Sequence, residues 1–199
     1  MMKYCVIVAL CLLSLSSRAQ TILIIGDSLT EGYGLDTAEA FPAQLEKLLQ
    51  SQGRPSAKVI NGGISGSTTA SGVQRVKWFA KLKPQVLVLA LGANDGLRGL
   101  ATAESKKNLA ATVKLARESG MKVLLSQMLM PKNYGEPYRR EFEAMYRALS
   151  QELKVPLLPF LLEGVGGNPK LNLPDGMHPN AEGQKIIAAN LARALGPHL

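Results

Sequence analysis

The chain has 199 residues, with 23 Lys and Arg against 15 Asp and Glu, 2 His, 2 Cys, 46% hydrophobic and 5% aromatic residues. That length buries a core without staples, and the composition excludes a disordered segment, a collagen-like repeat and a disulfide scaffold. Both cysteines, Cys5 and Cys11, fall in the first 19 residues, together with Lys3 and Arg18 and no acidic residue.

Met1 to Ala19 reads as a secretory leader: a basic start at Lys3, an apolar run from Tyr4 to Leu13, then small residues ahead of a cut before Gln20. The run is short for a bilayer span, and neither cysteine has the small-residue context of a lipid attachment site. The expectation is a periplasmic or secreted protein with no stable membrane anchor, whose working chain is one domain over 20–199. Those 180 residues hold 21 cationic and 15 anionic side chains, a net +6, and no cysteine. Cysteine catalysis, disulfides and thiolate metal sites are thereby excluded, and two histidines, His178 and His198, are too few for a His-rich metal centre. The cations occur singly, without the basic run interleaved with aromatics that would suggest a nucleic-acid partner.

Short apolar runs alternate with amphipathic ones. Thr21-Ile22-Leu23-Ile24-Ile25 reads as a buried strand ending at Gly26-Asp27-Ser28. A helix follows from about Phe41 to Gln52 with Leu45, Leu48 and Leu49 on one face, then a strand over Ala57 to Ile60 that ends at Asn61-Gly62-Gly63. A helical stretch over Ser71 to Lys81 contains Trp78, the only tryptophan, expected in the core. Gln85 to Leu91 is the clearest strand and ends at Gly92-Ala93-Asn94-Asp95. Next come a helix over Thr102 to Ser119, a strand over Lys122 to Ser126, a helix over Pro137 to Leu153, a short strand over Val155 to Pro159 and a last helix over Ala181 to Leu195. Five strands alternating with helices predict an α/β/α sandwich around a parallel sheet. Ligands bind such sheets at the carboxyl ends of the strands, where the polar and glycine clusters fall.

His198 is one residue from the chain end, which leaves His178 as the candidate general base. Asp175, three residues earlier in Asp175-Gly176-Met177-His178-Pro179, can reach the imidazole Nδ1–H and fix its tautomer. Asp-Gly is also an ordinary turn, and a histidine before a helix is often a cap or a surface residue. With no cysteine, the partner nucleophile is a hydroxyl, and Ser28 directly follows a strand. Asp27 and Ser28 are equally suited to capping the next helix. The Gly-x-Ser-x-Gly elbow of the α/β-hydrolases does not occur. The Gly66 amide, the Asn94 side chain and the Ser28 N–H are candidate oxyanion donors, although Asn94-Asp95-Gly96 is also a plain turn signal.

These blocks resemble the SGNH, or GDSL, hydrolases over the whole of 20–199. Gly26-Asp27-Ser28-Leu29, Gly66, Gly92-Ala93-Asn94-Asp95 and Asp175 to Pro179 correspond to four of the family's blocks. The resemblance implies a flavodoxin-like fold, Ser28 as nucleophile, His178 as base, Asp175 as its orienting partner, an oxyanion hole of Ser28, Gly66 and Asn94, and no metal or organic cofactor. The chain looks most like the bacterial periplasmic multifunctional acyl-CoA thioesterase, arylesterase and lysophospholipase branch. It shares Asn94 to Gly99, Pro131-Lys132-Asn133-Tyr134-Gly135 and Val155 to Phe160 with that branch, and departs from it at Ala93, where glycine is common. Met128 to Tyr138 is a candidate wall for an acyl chain or a plain surface loop, and Asp27, Asn133 and Tyr134 are candidate substrate contacts.

The expected activity is hydrolysis of carboxylic esters and thioesters of acyl chains through an acyl-enzyme on Ser28, the partner being a small-molecule ester or thioester. The alternatives are a carbohydrate acetylesterase with the same triad, disfavoured by the scarcity of aromatics, and a non-catalytic binding module that keeps the fold.

Overall fold

The structure is a computed structural model and describes residues 20–199; the expected leader, with Cys5 and Cys11, lies outside the described residues. Five strands, β1 (Thr21–Gly26), β2 (Lys58–Gly63), β3 (Val86–Ala90), β4 (Lys122–Gln127) and β5 (Leu157–Phe160), form one parallel sheet in the order β2-β1-β3-β4-β5. That is the flavodoxin-like order, with its switch point between β1 and β3. β1 and β3 are buried on both faces, which is why Ile22 to Ile25 and Val86 to Ala90 are unbroken apolar runs without alternation.

Seven α-helices are described: α1 (Ser28–Glu31), α2 (Phe41–Ser51), α3 (Gly72–Phe79), α4 (Ala93–Leu97), α5 (Thr102–Glu118), α6 (Glu136–Leu153) and α7 (Ala181–Leu195). α2 packs against α7 on one side of the sheet, and α3, α5 and α6 pack in succession on the other. Leu45, Leu49, Ile187, Leu191 and Leu195 close the first layer, and Val76, Leu109, Val113, Phe142 and Tyr146 the second. The Tyr146 hydroxyl, fully buried, donates to the Leu91 carbonyl at 2.8 Å, which satisfies a backbone acceptor just past the end of β3.

Three expectations are corrected. β2 runs on through Asn61, Gly62 and Gly63, because parallel pairing of these residues with Ile24, Ile25 and Gly26 overrides the turn tendency of Asn-Gly-Gly. β5 begins two residues later than expected; it is an edge strand paired only with β4, so Pro159 costs no ladder bond on an inner neighbour. Trp78 is 70% exposed, with Lys81 over its ring, because Gly72, Arg75 and Val76 hold the inward face of α3.

Candidate active site

β1 delivers the chain into a single helical turn at the carboxyl edge of the sheet. Asp27 caps this turn: its carboxylate accepts from the Leu29 N–H at 3.0 Å, and its carbonyl accepts from the N–H groups of Thr30 and Glu31. The Ser28 N–H is left without a partner among the described residues. Gly32, at φ 86°, ends the turn in the left-handed region, and the Tyr33 N–H then bonds back to the Ser28 carbonyl at 3.1 Å. Tyr33 is thereby brought beside the serine.

The 172–180 loop supplies the histidine. Asp175 Oδ1 accepts from the Met177 and His178 N–H groups at 2.9 and 3.0 Å, and Oδ2 meets His178 Nδ1 at 2.7 Å. Two flanking ties hold the loop: the Leu173 N–H donates to the His178 carbonyl at 2.7 Å, and Asn180 caps α7 by accepting from Glu182 and Gly183. His178 Nε2 lies 2.9 Å from Ser28 Oγ. A carboxylate only accepts, so Nδ1 carries the proton and Nε2 is free to accept the Ser28 O–H. The N–H groups of His178 and Met177, together with the imidazole, hold the Asp175 carboxyl down at about 2. The Tyr33 ring packs on the imidazole with centroids 4.5 Å apart and planes inclined by 36°.

The expected oxyanion donors come from the neighbouring strand ends. Gly66 sits at φ 74° in the loop after β2, and its carbonyl accepts from Arg98 at 3.0 Å. Glu31 fastens the same loop through the Ser65 N–H and hydroxyl. Asn94, in α4 past the end of β3, donates from Nδ2 to the Ser67 carbonyl at 3.0 Å and towards Asp27 Oδ2 at 3.4 Å. The second contact is long, which makes that N–H the easier one to redirect towards a developing negative charge. Asp95 binds the two loops together: it accepts from the Thr69 N–H at 2.8 Å, the Thr69 hydroxyl at 2.6 Å and the Ser105 hydroxyl at 3.1 Å. Gly92 has φ 124°, and a Cβ there would lie 2.0 Å from the Tyr146 hydroxyl. Ala93, the position at which the sequence departs from the resembled branch, begins α4.

Ser28, His178, Asp175, Gly66 and Asn94 thus come from four loops at one end of the sheet. Asp27, an expected substrate contact, is buried behind Asn94. It is 1% exposed, and burial raises its carboxyl from 3.8 to about 6, against the opposing pull of the Leu29 N–H, His178 and Arg75. Tyr134 is half-buried and its hydroxyl donates to the Leu97 carbonyl at 3.0 Å, tying the 132–134 turn to α4, while Asn133 is exposed on that turn. Among the described residues, no group of three or more His, Cys, Asp or Glu side chains converges as a metal would require. A groove of about 530 Å³ between β5 and α7, lined by Leu158, Phe160, Ile187 and Leu191, contains none of the site residues.

Two neighbours of the site escape a sequence reading. Arg75 is buried beside the Ser28 turn and donates from Nη1 to the Gly26 carbonyl at 2.7 Å; its Nε and Nη2 have no partner among the described residues. An arginine on the apolar stripe of α3, beside Gly72 and Val76, was the available signal. Tyr33 offers none, because its contact with His178 spans most of the chain.

Residues 24–186 match the GDSL-like lipase/acylhydrolase family. The chain belongs to this family. Among proteins similar to this GDSL-like hydrolase, Esterase TesA of Pseudomonas aeruginosa is 42% identical over 96% of the chain and 95% of its own length. The thioesterase 1/protease 1/lysophospholipase L1 of Escherichia coli K12 is 37% identical over 92% and 86%. Of solved structures, the psychrotrophic esterase EstA of Pseudoalteromonas sp., inhibited by monoethylphosphonate, superposes with a TM-score of 0.85 at 29% identity, covering 90% of this chain and 98% of that one.

Proposed function

We propose that this GDSL-like hydrolase is an exported serine esterase that cleaves carboxylic esters and thioesters of acyl chains. The observation that supports this most is the continuous Ser28–His178–Asp175 chain, at 2.9 and 2.7 Å, beside a Ser28 N–H without a partner among the described residues. The names of the similar proteins, an esterase and a thioesterase and lysophospholipase, agree with acyl substrates of both kinds. The apolar run at 1–19 supports export, and among the described residues no helix is long and apolar enough to cross a membrane.

In this reading His178 Nε2 takes the Ser28 proton as Oγ attacks the acyl carbon. The Ser28 and Gly66 N–H groups and the Asn94 amide receive the negative charge on the carbonyl oxygen. The bond to the leaving oxygen or sulfur breaks, and His178 returns the proton to it. Water, deprotonated by the same imidazole, then splits the acyl-enzyme, releasing the carboxylic acid and regenerating the serine. Asp175, ionised down to about pH 2, keeps the imidazole in the required tautomer and balances its charge when protonated.

A panel of acetyl, butyryl, octanoyl and palmitoyl esters beside acetylated polysaccharide tests the substrate class. Turnover of the longer acyl esters with a higher kcat/KM than acetylated sugar is expected. Activity confined to acetylated sugar would contradict it.

A further inference from the structure

The Tyr33 ring packs on the imidazole at a tilt, Met177 immediately precedes His178 in the chain, and both side chains remain about half uncovered, at 51% and 49% exposure. They come from separate loops, after α1 and before α7. The Tyr33 hydroxyl makes no hydrogen bond among the described residues, and its ring packs on the imidazole. Large apolar side chains are left this exposed beside a reactive group at a cost in solvation, which a bound apolar surface would recover.

The chemistry decides which part of a substrate lies there. Once Ser28 Oγ is bonded to the acyl carbon, three other substituents radiate from that carbon. The oxygen points to the Ser28 and Gly66 N–H groups and Asn94. The leaving oxygen must come within hydrogen-bond reach of His178 Nε2, because the proton taken from Oγ is delivered there as the carbon–oxygen bond breaks. The acyl chain takes the third direction. Atoms beyond the leaving oxygen therefore extend past the imidazole, on which the half-exposed Tyr33 ring packs.

We infer that Tyr33, with Met177, forms a leaving-group subsite that favours flat aromatic alcohols over small alkyl alcohols carrying the same acyl chain. This rests on the esterase reading. Tyr33 supplies a ring face for offset stacking and Met177 a polarizable thioether, and neither touches the acyl chain. The products of the first step are the free phenol or naphthol and the acyl-enzyme on Ser28.

The test compares 2-naphthyl butyrate with ethyl butyrate in wild type, Tyr33→Ala, Tyr33→Phe and Met177→Ala. kcat/KM covers the steps up to acylation, when the leaving group is present, whereas hydrolysis of the butyryl-enzyme no longer contains it. Tyr33→Ala is expected to lower kcat/KM for the naphthyl ester about tenfold more than for the ethyl ester, the scale of one aromatic pair. Deacylation should stay within about twofold, Tyr33→Phe should restore the preference, and Met177→Ala should erode it in the same direction by a smaller factor. Equal losses on both esters, matched by slower deacylation, would reduce Tyr33 to positioning His178 and overturn the subsite. A changed preference between butyryl and octanoyl naphthyl esters would place the acyl chain there instead and overturn it too. A wild type that hydrolyses neither ester would overturn the esterase reading itself.

Discussion

Replacing Asp27 by asparagine separates the cost of a buried charge from the use of a buried hydrogen-bond acceptor. The carboxyl titrates at about 6 in the folded protein against 3.8 when solvated. Between these pH values the folded state holds a proton that the unfolded state has lost, so stability is greatest below about pH 4 and falls as pH rises towards and past 6. At 1.36 kcal/mol per decade, the whole change is about 3 kcal/mol. The amide side chain of Asp27→Asn would carry no such penalty, and its Oδ1 can still accept from the Leu29 N–H, asparagine being as good a cap as aspartate. At pH 8 the variant should be more stable than wild type by up to about 3 kcal/mol, or roughly 6–12 °C in Tm for a domain of this size, and the difference should vanish near pH 4. Activity should move the other way. The new Nδ2 would face Asn94 Nδ2, donor against donor, and displacing this donor of the proposed oxyanion hole should cost about 10²-fold in kcat. Thermal melts of both proteins from pH 4 to 8, with kcat on one ester, read both effects. A Tm gap independent of pH, or widest at low pH, would show instead that Arg75 compensates the Asp27 charge in full.

Asp175→Asn keeps an acceptor for the Met177 and His178 N–H groups but turns an N–H towards Nδ1. The imidazole must then carry its proton on Nε2, and kcat should fall by about 10³–10⁴ with the melting curve little changed. Since the Asp175 carboxyl is held at about 2, adding the variant to a pH–rate series should show that protonation of this residue does not set the acid limb above pH 3. Gly92→Ala combines a left-handed backbone with a Cβ driven into the Tyr146 hydroxyl, so it should destabilise by more than about 2 kcal/mol, measured by urea unfolding, whereas Ala93→Gly should change stability by about 1 kcal/mol or less.

The parts of this structure legible in the sequence are those where one physical requirement dominates a short stretch. Strands such as Ile22 to Ile25 and Val86 to Ala90 must be apolar on both faces, and α2, α5 and α7 show their buried stripes directly. The site is legible for a related reason: Ser28, Asn94 and the Asp175–His178 pair sit just beyond strand ends or just before a helix, where the fold gathers loops. What failed was decided by partners distant in the chain. β2 continues through Asn61-Gly62-Gly63 because β1 is there to pair with, and Trp78 is exposed while Arg75 of the same helix turns inward to reach the Gly26 carbonyl of β1. Tyr33 follows the same rule, since only the return of the chain 145 residues later puts an imidazole against its ring.

Everything in the proposed reaction depends on Ser28, activated by His178, carrying the acyl group. Mass spectrometry of the protein treated with a fluorophosphonate reads out that role. A single adduct is expected on the peptide containing Ser28, formed much more slowly in His178→Ala and absent in Ser28→Ala. In that last variant turnover should fall by about 10³-fold or more in a protein that melts like wild type. An adduct on another residue, or ester hydrolysis at wild-type rate in Ser28→Ala, would move the nucleophile elsewhere.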